Sequence, residues 1–290
     1  MSARLIEGIL RGSPFHMVGD GFRVRNYFPN GNNLRQRISP FFLLDYNPPT
    51  ELPPTEKLRG VGVHPHRGFE TVTLAFAGTV AHHDSAGNSG VIGPGDVQWM
   101  TAGSGVLHKE YQEAAFAKRG GTFHMLQLWV NLPAAHKMDK PSYQGITRDR
   151  MARVPIKNGE VVVVAGEYQG AKGPALTHTP MTMLVVNLEA GGVFETSLPP
   201  HWNTGVLNMK GLLHLVGGEK AQPEDFILYA NDHGEDIRIT SEQEAAFVVL
   251  SGEPINEPIA HYGPFLMNTP AELQQAMEDF NAGKFGTLAD

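Results

Sequence analysis

Two pairs of residues in this sequence are best suited to metal chemistry: His64 and His66, separated by one proline, and His108 and Glu110, separated by one lysine. Successive side chains of a strand point to opposite faces, so the members of each pair share a face. Two such strands would bring three imidazoles and one carboxylate around a single point. These donors are typical of a divalent transition metal. The sequence therefore predicts a metal site of His64, His66, His108 and Glu110 inside a β-barrel.

The predicted ligand set is compatible with catalysis. Three imidazoles and one carboxylate on a six-coordinate ion leave two positions for substrate, water or O₂, as metal catalysis requires. A structural zinc site is more often closed and four-coordinate. The ligand types alone leave both alternatives open, and they do not choose among iron, nickel, copper, cobalt, zinc and manganese.

The segment that follows the first two histidines predicts the strand that positions them. Residues 68–80 alternate in character and keep the parity of His64 and His66, so one face of this strand is expected to run from the metal-ligand end into the apolar interior of a barrel. The residues that share the parity of the two histidines are Glu70, Val72, Leu74 and Phe76, with Thr71, Thr73 and Ala75 on the other face.

The composition predicts an all-β fold. Gly (33 residues) and Pro (21 residues) are frequent, which is typical of many turns between short strands. Short strand-like segments separated by turn residues indicate antiparallel sandwiches or barrels. The pattern is interrupted at 133–141 and then resumes, which suggests a second copy of the same architecture. We expect an N-terminal metal-binding domain at 1–135 and a C-terminal domain at 136–290.

One helix is predicted near the C-terminus. Thr269 supplies an N-cap hydroxyl, Pro270 suits the first helical position, and Glu272 completes a capping box. An apolar stripe at helical spacing follows, and Gly283 ends it. We expect a docking helix with a structural role.

Charge and cysteine content exclude several classes of function. The net charge is −7 and no basic run of five residues occurs, so direct nucleic-acid binding is not expected. The absence of cysteine excludes disulfides, zinc–thiolate sites, iron–sulfur clusters and cysteine nucleophiles. No apolar stretch approaches the ~20 residues of a membrane span, and no secretory leader is evident. We expect a cytoplasmic protein without membrane contact.

An ordered series of motifs resembles the pirin family. The motifs are HPHRGFETV at 64–72, PGDVQWMTAG at 94–103, GVLHKE at 105–110, QLWVNL at 127–132 and GPFLMNT at 263–269. The resemblance extends from about residue 39 to residue 286. It implies two tandem cupin barrels (a bicupin) with a short C-terminal helix.

The resemblance also implies a metal and an activity. The family's ligands fall on His64, His66, His108 and Glu110, and its metal is usually Fe²⁺, with one ion expected per chain. Several members resemble quercetin 2,3-dioxygenases, so we expect a small aromatic substrate and O₂, with Glu110 as the catalytic base that accepts the substrate's enol proton. The alternative is a non-catalytic, iron-binding and redox-sensing protein that regulates an enzyme or transcription complex. Binding or storage without turnover is a third alternative, and paired cupins in one chain favour a monomer.

Three further predictions concern residues around the site. Many cupins take their carboxylate from the position of Glu70, but the pirin pattern favours Glu110, so Glu70 is expected to orient a ligand instead. His82, His83 and Asp84, at the start of a turn, are interpreted as a solvated loop, with the mouth of the site as the alternative position. His201 stands where a second His-x-His motif would begin, and the motif is not preserved, so the second barrel is predicted to have lost its metal.

Overall fold

The computed structural model describes residues 2–29, 34–231 and 233–289. The predicted all-β architecture is confirmed. Strands β1–β12 are Ile6–Arg11, His16–Val18, Phe22–Phe28, Phe41–Leu52, Gly60–His66, Phe69–Ala77, Val80–Asp84, Ser89–Ile92, Val97–Thr101, Val106–Gln112, Gly121–Asn131 and Ser142–Ile146. Strands β13–β24 are Ala152–Ala165, Glu167–Tyr168, Ala171–Lys172, Met181–Ser197, Asn203–Lys210, Leu213–Leu215, Lys220–Ala221, Asp225–Tyr229, Asp236–Ser241, Ala245–Gly252, Ala260–Tyr262 and Phe265–Met267. Helices α1–α3 are Leu34–Arg37, Ala114–Arg119 and Pro270–Asn281, and 3₁₀ turns lie at Ala134–His136 and Arg148–Arg150.

The chain forms two compact units. The first barrel comprises Pro14–Gln36, Phe41–Arg148 and Ile255–Asp290. The second barrel comprises Met1–Ser13, Arg37–Pro40 and Asp149–Pro254.

The two units are not continuous in sequence, which differs from the division expected at 135/136. Strand β12 pairs with β9 of the first barrel, and β1 pairs with β20 of the second. Residues 255–290 belong to the first barrel because apolar side chains of this segment, such as Phe265, Leu266 and Phe285, are buried in that unit. The limits 1–135 and 136–290 stay a prediction for the two domains along the sequence.

Two sheets build the first barrel. One has seven strands in the order β12-β9-β6-β11-β4-β3-β2, and the other has four in the order β5-β10-β7-β8. The chain passes from the four-stranded sheet to the seven-stranded sheet at Gly68. This glycine adopts φ +88°, and a Cβ atom at this position would overlap the Leu266 carbonyl oxygen. This turn sends β5 and β6 into different sheets.

The prediction that the face of His64 and His66 continues along the strand at 68–80 is therefore wrong. Alternation does not carry across the turn at Gly68, and the predicted inner and outer faces of β6 are exchanged. Thr73 of β6 contacts Glu110 of the four-stranded sheet, and Ala75 packs in the same apolar cluster as Phe22 and Met125. The face of β6 that carries Thr71, Thr73 and Ala75 is thus the one that looks into the first barrel.

The second barrel has an apolar interior. Its sheet runs β1-β20-β17-β22-β16-β21-β18-β19, with β13 paired to β16. Buried valine, leucine, isoleucine and phenylalanine side chains fill it, among them Phe194, Phe247 and Val249. Within the described parts of this unit, no cluster of three potential metal ligands lies wholly inside it. The loss of a metal from this barrel stays a prediction.

Helix α3 begins and ends as predicted. The Thr269 hydroxyl accepts a hydrogen bond from the Glu272 amide, and the Glu272 carboxylate accepts one from the Thr269 amide, so both halves of the capping box are present. Ala276 is fully buried and packs with Phe265 and Phe285. Of the helices among residues 2–29, 34–231 and 233–289, none is long and apolar enough to cross a membrane.

Candidate metal centre

Three of the predicted ligands lie together in the first barrel. Strands β5 and β10 are antiparallel, and His64 lies directly opposite His108 in their register. One nitrogen from each of His64, His66 and His108 lies within 4.8 Å of the other two. The ring centroids are 4.2 Å apart for His64 and His108 and 4.7 Å apart for His66 and His108. The three histidines thus lie together, whereas Glu110, the fourth predicted ligand, is not part of this cluster among the described residues.

Backbone contacts orient two of these rings. His64 Nδ1 lies 2.8 Å from the Gly62 carbonyl oxygen, and His66 Nδ1 lies 3.3 Å from the Pro264 carbonyl oxygen. An Nδ1–H donated to a carbonyl leaves the lone pair on Nε2, which is the form of imidazole that binds metal. The tail of the chain thereby takes part in positioning His66.

His108 provides the third nitrogen. It is fully buried, and its Nε2 has no hydrogen-bond partner among the residues that the structure describes. A buried nitrogen without a partner costs free energy unless a ligand or ion satisfies it. This orphaned atom, beside two imidazoles with free Nε2 positions, fits a bound divalent metal.

Glu110 joins a second cluster that shares His108. Ligand atoms of His82, His108 and Glu110 lie within 4.8 Å of one another. Glu110 Oε1 accepts a hydrogen bond from Gln98 Nε2 at 2.6 Å, and the Thr73 hydroxyl lies 3.4 Å away. One carboxylate oxygen is therefore held from the opposite sheet. The contact of Gln98 with Glu110 joins strands of two different sheets, so local sequence does not reveal it.

The sequence analysis considered His82 for the mouth of the site but did not assign it to the ligand cluster, where the structure places it beside His108 and Glu110. The interpretation of residues 82–84 as a solvated loop is wrong, since these residues form part of β7 and both His82 and Asp84 are buried. Their burial follows from the pairing of β7 with β10, which places His82 opposite Glu110 and Asp84 opposite His108. The polar character of residues 82–84 gave no indication of this burial, because buried strand residues are usually apolar. Here the buried space is itself a polar site.

A chain of hydrogen bonds connects Asp84 through His82 to His108, one of the three clustered histidines. Asp84 Oδ2 lies 3.3 Å from His82 Nε2, and His82 Nδ1 lies 3.5 Å from His108 Nδ1. If His82 donates to Asp84, its Nδ1 can accept the His108 Nδ1–H, which leaves the His108 lone pair on Nε2. The chain therefore holds His108 in the tautomer that a metal requires.

The electrostatics of the site favour neutral imidazoles. Burial, followed by the neighbouring His64, holds the pKa of His66 well below its usual value. Burial and the nearby histidines do the same for the pKa of His108. Burial opposes ionisation of Asp84, but hydrogen bonds from His82 and Asn88 together lower its pKa. Neutral rings beside an ionised Asp84 suit metal ligation at neutral pH.

Glu70 lies in neither ligand cluster among the described residues. It is buried, and its Oε1 accepts a hydrogen bond from the Thr101 hydroxyl at 2.7 Å. Alternation along β6 places it on the face opposite to Thr73, away from Glu110. The geometry thus brings Glu110, rather than Glu70, to the histidines.

A cavity of about 290 Å³ adjoins the cluster within the first barrel. His64, His66 and Glu110 form its polar end, and Trp129 packs against His66 with ring centroids 5.2 Å apart. The other walls are mostly apolar; they are Val18, Phe22, Val24, Leu43, Val61, Met125, Gly263 and Pro264, with Asp45 and Gln127 as further polar groups. The volume is near the lower end of ligand pockets, which span ~300–1,000 Å³. A compact, largely apolar molecule could therefore reach the ligand cluster.

Two family models match the chain in sequence. The model described as pirin matches residues 21–130, and the model described as the pirin C-terminal cupin domain matches residues 183–286. Together they cover most of both barrels.

Known proteins resemble the chain over nearly its whole length. A Pseudomonas aeruginosa protein, provisionally named as a quercetin 2,3-dioxygenase, is 48% identical over 97% of this chain and 98% of its own length. Human pirin is 34% identical over 92% of this chain and 89% of its own. A crystal structure of quercetin 2,3-dioxygenase from Acinetobacter baumannii superposes with a TM-score of 0.95 at 42% identity, covering 99% of this chain and 100% of that one.

Proposed function

This chain belongs to the pirin family, and we propose that it is a metal-dependent dioxygenase that cleaves a flavonol or related enolic aromatic compound with O₂. One observation carries the proposal: the buried histidine cluster faces a cavity with mostly apolar walls. Apolar walls with a few polar groups at one end suit a flat aromatic molecule that presents oxygen atoms to the metal. The quercetin 2,3-dioxygenase names of two similar proteins support the same substrate class.

We assign His64, His66, His108 and Glu110 as the residues that would hold the metal. When bound, a divalent ion there, with Fe²⁺ our first choice, would polarise the substrate's oxygen atoms and provide open positions for O₂. The neutral imidazoles and the single carboxylate would leave the bound ion with a net positive charge, which favours an enolate over a neutral enol.

The proton chemistry falls to Glu110. Gln98 donates to Oε1 at 2.6 Å, so Oε2 is the oxygen left for metal or substrate. We assign Glu110 as the base that accepts the proton of the substrate's enolic hydroxyl. The reaction consumes O₂, cleaves the oxygen-containing ring of a flavonol and releases carbon monoxide. The apolar walls exclude water from the reacting atoms.

Oxygen uptake tests the proposal. Protein would be stripped of metal, reloaded anaerobically with Fe²⁺, and mixed with quercetin and O₂ in an oxygen electrode. We expect uptake that depends on metal and that falls by at least about 10²-fold in His108→Ala, because loss of a ligand removes the ion. His201→Ala, an exposed histidine of the second barrel, is the matched control and should retain full activity.

The role of the carboxylate is tested by a second pair of variants. Glu110→Gln should lower oxygen uptake by about 10²–10⁴-fold, since an amide cannot accept the proton. Glu70→Gln should change metal stoichiometry little, because Glu70 lies in neither ligand cluster of the described residues. Unchanged turnover in Glu110→Gln would contradict the base role.

The competing function is a redox-sensing regulator without turnover. It predicts full metal loading but no oxygen uptake with quercetin or related flavonols. That result would contradict the dioxygenase proposal and direct the search to a protein partner bound in one oxidation state.

A further inference from the structure

A row of polar side chains crosses the cavity face of the seven-stranded sheet. Residues directly opposite each other in adjacent strands share a face, and five polar residues stand in one such line across β3, β4, β11, β6 and β9. In that order they are Asn26, Asp45, Gln127, Thr73 and Gln98. Several of the next residues along the same face are apolar, among them Val24, Leu43, Met125, Trp129 and Ala75, whereas Thr71 and Asn47 are polar. A polar line that crosses five strands of a barrel interior calls for an explanation beyond packing.

The Glu110 end of the row has a role in the proposed function. Gln98 and Thr73 contact Oε1 of Glu110. The Thr73 hydroxyl also lies 2.6 Å from Gln127 Oε1, with the hydroxyl as donor. The amide nitrogen of Gln127 has no recorded partner among the described residues, and Gln127 lines the cavity.

Asp45, the second residue from the other end of the row, has few hydrogen bonds for a buried carboxylate. Its side chain is buried, and Asn26 Nδ2 donates to Oδ1 at 2.7 Å. No hydrogen bond to Oδ2 is recorded from the described residues, and Asp45 also lines the cavity. Burial raises the pKa of this carboxyl. Keeping an acid in an apolar wall costs free energy, which a bound hydrogen-bond donor would offset.

Asp45 and Gln127 form a complementary pair at a useful distance from the ligand cluster. They lie opposite each other in register, so an acceptor and a donor stand side by side. Asp45 is two strands away from Thr73, whose hydroxyl reaches Glu110. With strands ~4.8 Å apart, Asp45 lies about 10 Å along the sheet from that contact, and Gln127 lies about 5 Å from it. A flat two-ring or three-ring compound spans such a distance.

We propose that Asp45 and Gln127 determine substrate selectivity by binding a phenolic hydroxyl on the substrate's ring remote from the metal. The hydroxyl donates a hydrogen bond to Asp45 and accepts one from the Gln127 amide. The substrate class is thus an aromatic compound with a metal-chelating enol at one end and a phenol at the other. This inference rests on the proposed function, because the same cavity must accept the substrate.

Anaerobic binding measurements test the inference without turnover. Three ligands are titrated into Fe²⁺-loaded protein: 3-hydroxyflavone and its 4′-hydroxy and 4′-methoxy derivatives, which share the chelating group. The wild-type protein should bind the 4′-hydroxy compound about ten- to hundred-fold more tightly than the other two, as expected for a hydrogen bond to a buried charged group. Asp45→Asn keeps the acceptor for Asn26 but presents an amide donor to the cavity, so this preference should fall to about threefold or less.

Matched variants separate the polar contact from the shape of the wall. Met125→Leu changes an apolar lining residue and should alter the affinities of all three ligands by a similar factor. Gln127→Met should also weaken the preference, and it replaces Asp45→Asn in the test if that variant does not fold. Metal stoichiometry should stay at the wild-type level in all three variants.

The outcomes distinguish the inference from the function on which it rests. An unchanged preference in Asp45→Asn, or equal affinities of the three ligands for the wild-type protein, would overturn the role of Asp45 while leaving the dioxygenase proposal in place. If none of the three ligands binds the metal-loaded protein, and no oxygen uptake occurs, both proposals are refuted.

Discussion

Replacing Lys137 by methionine should destabilise the first barrel and leave the clustered histidines less firmly positioned. Lys137 is only 2% exposed. Its ammonium group donates three hydrogen bonds: to the Gly68 carbonyl at 2.7 Å, to Asn131 Oδ1 at 2.6 Å and to the Leu266 carbonyl at 2.8 Å. It thereby joins the turn between β5 and β6 to β24, two residues beyond Pro264, whose carbonyl contacts His66.

The magnitude follows from the three acceptors. Lys137→Met keeps the length of the side chain but leaves three buried oxygens without this donor, at about 1–2 kcal/mol each. Relief from burying an ammonium group and the added apolar contact offset part of this loss, by about 1–2 kcal/mol. We therefore expect the free energy of unfolding to fall by about 1–5 kcal/mol.

Urea unfolding at neutral pH and native-state hydrogen exchange would measure the loss. The Gly68 and Leu266 amides bond to the Gly103 and Arg67 carbonyls, so their exchange reports opening of this region. Lys210→Met is the control, because Lys210 is exposed and paired with Glu244, and it should cost less than about 1 kcal/mol. A Lys137→Met protein as stable as the wild type would refute the reasoning, since the cost of burying the charge would then equal or exceed the value of its hydrogen bonds.

Three other predictions concern the same unit. Burial lowers the pKa of Lys137 from 10.5 to about 7. Between these two pH values the unfolded chain therefore binds more protons than the folded protein, so the stability of the wild type rises with pH relative to that of Lys137→Met. Urea titrations from pH 7 to pH 10 should show this difference growing by up to ~1.4 kcal/mol per pH unit. Asp84→Asn keeps a side-chain oxygen for the turn amides but weakens the orientation of His108, so metal affinity in competition with a chromophoric chelator should fall about 10–100-fold; an unchanged affinity would show that the contact is not needed. Thr269→Ala removes the cap of α3 and should lower the free energy of unfolding by about 1 kcal/mol, whereas an unchanged urea midpoint would mean that Glu272 alone is sufficient.

Local sequence was sufficient where the determining interactions are local. The two histidine-containing motifs place their side chains one residue apart on a strand, so the convergence of His64, His66 and His108 needed only that their strands pair. The capping box of α3 is likewise formed by residues only three positions apart, Thr269 and Glu272. The order of motifs also identified the family and, with it, the double-barrel architecture.

Tertiary structure decided the features that depend on pairing between distant segments. Alternation predicts two faces for a strand but does not show which face points into the barrel. Because the turn at Gly68 places β6 in the other sheet, the inner and outer faces of β6 are the reverse of those predicted. The burial of His82 and Asp84 required β7 to lie beside β10. The line from Asn26 to Gln98 required five strands in register. The contact of Pro264 with His66 required the C-terminal segment to pack on the first barrel. Each of these contacts joins residues far apart in the chain, so their energies are set by which strands pair and in which register, and no local pattern contains that information.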